Sequence, residues 1–524
     1  MFGFESRTFR PTGTGFFGVC FATFFLLSGV LPARAQLIPI KSVPVASGDQ
    51  FLLFPSENLA MGGVGLGLAD HLGDPFSNPA TGSRVSETLF FGSPTFYGIS
   101  DRNGSGKSLP LGALFTSGSW FGGGAVSLQE LKGADRERTW PFFATREPWD
   151  SRMWPLPEPS QDLSELSARN LYAYGMLGYR FPEKGLSVGI SGTYADLGAV
   201  DGVDLLYALS QEIDQSGHMS DVRLGLLKEW ESGQSMEVVL TRNKVRMQHD
   251  VTYLNLVWEP LPPDTFPVPQ WRTRVDENLD HTDTWGAHVA FRRPIGTNGW
   301  QVGWSFTANR KDHPKIPNYE IQNIPRDPGE TQAYALGAGI AKAEGPARFA
   351  VDMFLEPIRS DTWANAAADT TDVFGNIIKA GEKTIENEFV FTNALIKAGV
   401  AWDYKIATFK GGLNVRSISY ELEQVNNIEP FNLMSWKRKQ DESWMEWTPS
   451  FGVSLALQGV TLHYAARITT GTGRPGTRWS NARMAESGLD SGLGSDFILA
   501  PQGPLTLQDA RVTTHQLSVV IPMR

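Results

Sequence analysis

The sequence predicts an all-β fold, a transmembrane antiparallel β-barrel. Three observations carry that prediction: an export address at the N-terminus, two-residue hydrophobic alternation repeated along the chain, and connections that alternate between short and long. Composition narrows the field first. Of 524 residues, 19% are charged and 41% hydrophobic, with 54 Gly and 33 Pro, so neither a disordered polyelectrolyte nor a coiled coil fits. Sixteen Trp, 31 Phe and 12 Tyr make the chain aromatic-rich, and its single Cys excludes both a disulfide framework and a Cys-built metal centre. A formal charge of −10 argues against nucleic acid as a partner, because phosphate binding is driven by an excess of Lys and Arg.

Residues 1–35 read as a secretory signal peptide. Arg7 and Arg10 form a basic region, Phe16 to Leu31 is apolar throughout, and Ala33-Arg34-Ala35 supplies the small-residue cleavage pattern before Gln36. Cys20 lies inside the apolar run, preceded by Phe-Gly-Val, which does not suit a lipid anchor. No later stretch approaches the 18 consecutive apolar residues of a helical span, so membrane insertion must use strands.

Strands are legible by their period. In 299–308, Trp300, Val302, Trp304, Phe306 and Ala308 share one face, with Gln301, Gly303, Ser305 and Thr307 on the other. Segment 347–356 opposes Ala347, Phe349, Val351, Met353 and Leu355 to Arg348, Ala350, Asp352, Phe354 and Glu356. Segments 186–195, 285–292, 394–404, 451–458 and 460–468 repeat the pattern, and the last strand places Leu517, Val519 and Ile521 on one face. Short turns are expected near 117–119, 181–185, 231–234, 294–299, 343–346, 404–407 and 457–460. Long polar loops are expected near 100–109, 131–168, 199–216, 251–280, 311–330, 358–386, 423–443 and 470–510. Seven short turns interleaved with eight long loops require about sixteen strands, with both termini on the short-turn side. A soluble β-sandwich or propeller also alternates, but has little reason for one-sided loops. Trp285, Trp300, Trp304, Trp402, Tyr404, Trp444, Trp447 and Tyr464 fall in or beside these strands, where interfacial aromatic girdles belong. The chain ends Pro-Met-Arg, whereas many such barrels end in an aromatic residue that the assembly machinery reads.

Ahead of the first strand lies ENLAMGGVGLGLADHLGDPFSNPATG, residues 57–82. Its glycines allow tight, positive-φ backbone, and Asn78-Pro79-Ala80 reads as a turn or cap. With Ala60, Gly62, Gly63, Gly65, Ala69, Asp70, Asn78, Pro79 and Ala80 in this order ahead of barrel strands, the stretch resembles the long-chain fatty-acid transporter family of outer membranes. It is similar also to the related secretion-shuttle barrels of the type IX secretion system. The resemblance covers about 26 residues and implies an N-terminal hatch folded inside the barrel. The motif then serves either as a plug or strand-leading turn with no ligand contact, or as a group that meets substrate. Those families usually have fourteen strands, which gives an expectation of 14–16. The expected division is signal peptide 1–35, hatch 36–85 and barrel 86–524.

Catalytic constellations fail. Gly104-Ser105-Gly106-Lys107-Ser108 lacks the first Gly of a phosphate loop, because position 101 is Asp, and reads as an external polar loop. There is no His-Glu-x-x-His, no nucleophile elbow and no calcium loop, so no enzyme activity, cofactor or metal is expected. His281 and His288 lie on opposite faces of any regular strand. If the apolar faces look outward, Arg348, Asp352, Glu356, His463 and Arg467 point into the lumen with Lys397, Asp403, Lys410 and Arg416, mostly as paired structural charges. In loop 131–168, Trp140, Phe142, Phe143, Trp149, Met153 and Trp154 form either a catchment for a hydrophobic ligand or a loop packed across the mouth. The resemblance implies passive transport of small hydrophobic molecules such as long-chain fatty acids. The alternatives are a binding platform for exported proteins, with loops 358–386 and 470–510 as docking surfaces, and a general polar-solute porin. Expected partners are outer-membrane lipid, the barrel-assembly machinery, a hydrophobic small-molecule ligand and, on the platform reading, exported proteins.

Overall fold

The structure, a computed structural model, describes residues 41, 44–133, 167–201, 203, 212–259, 268–313, 329–366, 368–428, 435–475 and 507–523. The expected signal peptide 1–35 and the aromatic residues of the expected loop 131–168 (Trp140, Phe142, Phe143, Trp149, Trp154) lie outside the described residues.

Period-two segments joined by short turns pair as antiparallel hairpins, and here the hairpins close into a ring. The wall starts with β1 (Leu89–Gly92) and β2 (Thr95–Ile99), then β3 (Ser105–Ser117), β4 (Trp120–Lys132), β5 (Ser167–Phe181), β6 (Leu186–Leu197) and β7 (Glu212–Glu229). The longest hairpin joins β8 (Ser235–Glu259) to β9 (Val268–Ile295), followed by β10 (Trp300–His313), β11 (Gly329–Lys342) and β12 (Ala347–Asn365). A small two-stranded hairpin, β13 (Thr370–Thr371) with β14 (Ile377–Ile378), stands apart from the wall. The wall resumes with β15 (Lys383–Tyr404), β16 (Ala407–Asn426), β17 (Lys437–Leu457), β18 (Val460–Pro475) and β19 (Leu507–Pro522). β1 and β2 share both neighbours, β19 and β3, and are one strand interrupted at Ser93-Pro94. Counting them together, the 17 segments of the sheet make sixteen wall strands, and the pairing of β19 with β1 closes the barrel.

All seven short turns fall where the sequence places them, from Ser117/Trp120 round to Leu457/Val460. The other end differs. The expected loops 251–280 and 358–386 are largely strand: the β8–β9 ladder runs out to Glu259 opposite Val268, and β12 pairs with β15 as far as Asn365 opposite Lys383. Beyond the lipid layer the outer face of a strand turns polar too, so the outward-apolar alternation fades while the ladder continues on cross-strand charge pairs. Arg246–Asp283 at 2.8 Å and Arg359–Glu388 at 3.1 Å are two of these. Ser105 to Ser108 likewise belong to β3 and not to a loop.

The barrel inverts the burial pattern of a water-soluble protein. Leu111, Leu128, Ile190, Val222, Met353, Phe409 and Phe451 are exposed on the outer face, whereas Ser127, Gln129, Ser191, Thr241, Thr307, Asp352 and Gln516 are buried inside. Trp304, Trp402, Tyr404 and Trp447 join the outer band, with Trp402 and Tyr404 beside a short turn. Trp444 does not, because it lies three residues from outward Trp447 and so faces the lumen. Among the described residues no helix is long and apolar enough to cross a membrane; the strands cross it. An even-stranded antiparallel barrel with an apolar exterior and one-sided short turns is built for the bacterial outer membrane, and the chain resides there.

Candidate functional site

The lumen is occupied by the chain's own residues 44–85. The segment starts at the long-loop end, where Val45 bridges Gly473 and the Ala46 N–H donates to the Gly473 carbonyl at 2.8 Å. It then runs to the short-turn half, where Arg84 pairs with Glu229 at 3.0 Å, at the end of β7, and with Glu237 at 3.1 Å.

Its fold follows from the glycine-rich motif. Gly62 and Gly63 both have positive φ, 71° and 70°, which a residue with a β-carbon adopts only under strain. The Asn58 side chain donates to the carbonyls of Val64, Leu68 and Ala69, closing the loop on itself. Asp70 brackets the base: its carboxylate accepts from the Glu57 N–H at 3.0 Å, the Gly73 N–H at 2.9 Å and the Ser56 hydroxyl. A one-turn helix, α1 (Asp74–Ser77), follows. Asn78 then caps the 3-10 turn Pro79–Arg84, its Oδ1 accepting from the Ala80 N–H at 3.1 Å while its Nδ2 donates to Glu237 at 3.0 Å. Gly65, Pro79 and Ala80 complete the expected motif; Pro79 and Ala80 are buried.

The wall is shaped to receive this segment. Inward-facing Gly303 and Gly412 leave no room for a β-carbon, because the Leu66 carbonyl and the Gly62 N–H lie against them; Gly225 and Gly399 meet Asn78 and Met61 in the same way. On the β9–β18 side charged and polar groups hold the backbone of the segment, beside small apolar contacts such as Met61 and Val64 against Ala341, Ala350 and Ala401. Asp352 accepts from the Gly65 and Leu66 N–H groups at 2.6 and 3.1 Å, and Ser450 Oγ accepts from the Gly62 N–H at 3.0 Å. Arg292 donates to the Leu66 and Gly65 carbonyls, Lys397 to Gly63 and Lys410 to Glu57. Arg467 pairs with Asp49, whose carboxyl burial alone would raise; Arg467 holds it below the usual carboxylate value. On the β1–β5 side a cluster of rings dominates, with the Tyr174 hydroxyl donating to the Pro75 carbonyl at 3.2 Å. Phe76 stacks on Phe54 at 4.1 Å and meets Phe91 at 5.4 Å and Tyr174 at 5.2 Å, with Leu72, Leu114 and Met176 around them.

The five expected lumen residues all face inward, but they do not form one site. Asp352 and Arg467 hold the segment; Glu356 pairs with Arg416 at 3.5 Å, Arg348 with Asp403 at 2.8 Å, and His463 Nδ1 lies 2.7 Å from Ser454 Oγ. Polar cavities of about 250 and 330 Å³ remain between segment and wall, the first bounded by Asp74, Arg223, Glu237, His288 and Arg292. Burial, with Asp70 and Glu237 nearby, pushes the Asp74 carboxyl up to about 8, so α1 carries a neutral acid at neutral pH.

What sequence reading missed is an aromatic ladder nearer the long-loop end. Phe389 and Phe391 on β15 stack at 5.8 Å, Phe391 meets Tyr420 on β16 at 5.8 Å, and Tyr420 meets Trp444 on β17 at 5.7 Å. Ile358, Leu422, Ala333 and Ala335 complete this inward apolar patch, and the Tyr420 hydroxyl donates to Glu442 at 2.5 Å. The available signal was Phe389-Val390-Phe391, with bulky groups on alternate positions, in the gap between the expected loop 358–386 and the expected strand 394–404.

No protein-family model matches the chain, and no curated protein does. Solved structures similar to it include a Pseudomonas aeruginosa FadL homologue, with TM-score 0.41 at 10% identity over 92% of this chain and 100% of that one. The Pseudomonas putida toluene transporter TodX gives 0.39 at 11% over 92% and 99%. The ferric enterobactin receptor of Pseudomonas aeruginosa gives 0.32 at 9% over 83% and 81%. Likeness at this level carries no functional argument; the barrel stands on its own ladder of hydrogen bonds.

Proposed function

We propose that this protein is a passive outer-membrane transporter that admits small hydrophobic molecules, long-chain fatty acids among them, past an N-terminal hatch formed by residues 44–85. The observation that carries the reading is the inward ladder Phe389, Phe391, Tyr420 and Trp444. A water-filled pore for polar solutes gains nothing from four aromatic rings facing its lumen, whereas an apolar solute leaving water gains about 25 cal/mol for each Å² it covers there. The occupied lumen also speaks against a general porin. The glycine-rich motif supports the reading through its positive-φ turns, which let the backbone pass close to the wall.

A second reading keeps support from one observation. At the β13–β14 tip Val373, Phe374 and Ile377 are exposed, with Phe374 against Trp436 at 5.6 Å, as a platform for exported proteins would offer.

The test is uptake of a radiolabelled long-chain fatty acid by cells carrying the wild-type protein, Phe391→Ala or Tyr420→Ala. Transport through the ladder predicts about tenfold slower uptake in both variants at equal outer-membrane abundance, as expected for losing about 1.4 kcal/mol of contact. Unchanged uptake in both, or none above background in the wild type, removes the transport reading.

A further inference from the structure

A separate apolar groove lies on the outside of the barrel, where the first wall strand is interrupted. Outward positions on β1 and β2 are Phe90, Gly92, Pro94 and Phe96, so two positions without a long side chain lie between two rings. Leu109 and Leu111 of β3 form one bank, Val519 and Ile521 of β19 the other, around a volume of about 700 Å³. The floor is built by proline. Pro94 lines the groove, while Pro110 on β3 lies opposite Ser93 with its side chain on the inward face; neither proline has an N–H, so the ladder there is reduced to Ser93 N–H to Pro110 and Leu517 N–H to Pro94, both 3.0 Å.

The long-loop end of the groove is polar. One cross-strand row carries His515, Phe96, Lys107, Glu130 and Arg169 in register. Lys107 and Glu130 pair at 3.0 Å with both side chains well exposed, and His515 Nδ1 is 2.9 Å from the Tyr464 hydroxyl. Between this row and the short turn at Ser117, β3 presents only Leu109, Leu111, Ala113 and Phe115 outward, so the row marks the edge of the hydrocarbon layer on the long-loop side. From Phe90 to Phe96 the groove runs six residues, about 20 Å, along the strand.

We propose that this groove is a binding site for one lipid of the long-loop-side leaflet, with an acyl chain over Gly92 and Pro94 and its phosphate on Lys107. Position and charge argue for this occupant together. The groove lies on the outer face, its walls are apolar, and Lys107 stands at headgroup height at one end. An exposed Lys–Glu pair is a weak competitor for Lys107, because it contributes little and is screened. The site is independent of what the lumen carries.

The test uses delipidated protein in mild detergent, incubated with phosphatidylglycerol or with diacylglycerol of the same acyl chains, and counts retained molecules by native mass spectrometry. The wild type is expected to keep one phosphatidylglycerol. Leu111→Trp with Val519→Trp fills the groove and should cut retention more than tenfold. Lys107→Glu, on an exposed surface position that leaves the fold intact, should cut it about fivefold or more. Heat-modifiable gel mobility confirms the barrel in each variant. Equal retention by the groove-filled variant, or no retained lipid in the wild type, overturns the proposal. Diacylglycerol kept as well as phosphatidylglycerol also overturns it, and would mark the groove as a side port for uncharged apolar molecules.

Discussion

The segment in the lumen meets two unlike walls. Toward β1–β5 it is held by buried rings, Phe54, Phe76, Phe91 and Tyr174; toward β9–β18 it is held by charge-assisted hydrogen bonds donated by Arg292, Lys397, Lys410 and Arg467 and accepted by Asp352. Apolar packing is indifferent to salt and pH and is lost only by opening a cavity. Charged contacts on backbone groups exchange with water more readily, since water offers the same hydrogen bonds. The ladder Phe389, Phe391, Tyr420 and Trp444 lies on the polar side. The difference predicts that the two sides respond unlike to perturbation: the ring cluster is expected to anchor the segment, and the charged side to exchange with water first.

The comparison can be broken or sharpened by native-state hydrogen exchange of amides 57–85 in lipid nanodiscs. The largest effect is expected from Phe76→Ala, which should lower protection across the segment by about 3 to 5 kcal/mol, independently of salt. If Phe76→Ala is neutral, the ring cluster is no anchor. Asp352→Ala should cost about 2 kcal/mol, confined to Gly65, Leu66 and their neighbours, because two N–H groups lose a charged acceptor. A smaller effect is expected with pH. The Asp74 carboxyl is raised to about 8 in the fold, so its contribution is full below the ordinary value of 3.8 and is lost as pH rises through about 8. Between pH 7 and 9 the wild type should lose about 1.4 kcal/mol of protection, and Asp74→Asn should flatten that slope. An unchanged slope in Asp74→Asn would place the titrating group elsewhere. The smallest effect belongs to Arg348→Ala at the short-turn rim, whose pair with Asp403 is partly exposed; less than about 1 kcal/mol is expected, and less still in high salt.

Much of the fold was legible because its signal is local. Trp304 and Phe306 declare one face of β10 and Ser305 and Thr307 the other, and the short turns are announced by Gly and Pro near the strand ends. The same rule placed Arg348, Asp352, Glu356, His463 and Arg467 inward before their partners were known. It failed where the outer face stops being apolar. Above the lipid layer, the Glu388-Phe389-Val390-Phe391 stretch turns its rings inward, and it fell between the expected loop 358–386 and the expected strand 394–404, assigned to neither. It also grouped Trp444 with Trp447, although three residues along a strand put them on opposite faces.

By itself the sequence determined a closed, sided barrel, because a period of two and the spacing of turn residues act between near neighbours. Only the tertiary structure decided what the inward groups do. Gly65 and Asp352 are 287 residues apart, and Arg467 and Asp49 are 418 apart. Such pairs meet because strand register around the ring and the path of one segment through its centre bring them to the same height. The physical reason is that a strand's own pattern tells which way a side chain points, while the partner it finds there depends on the stagger of every strand between.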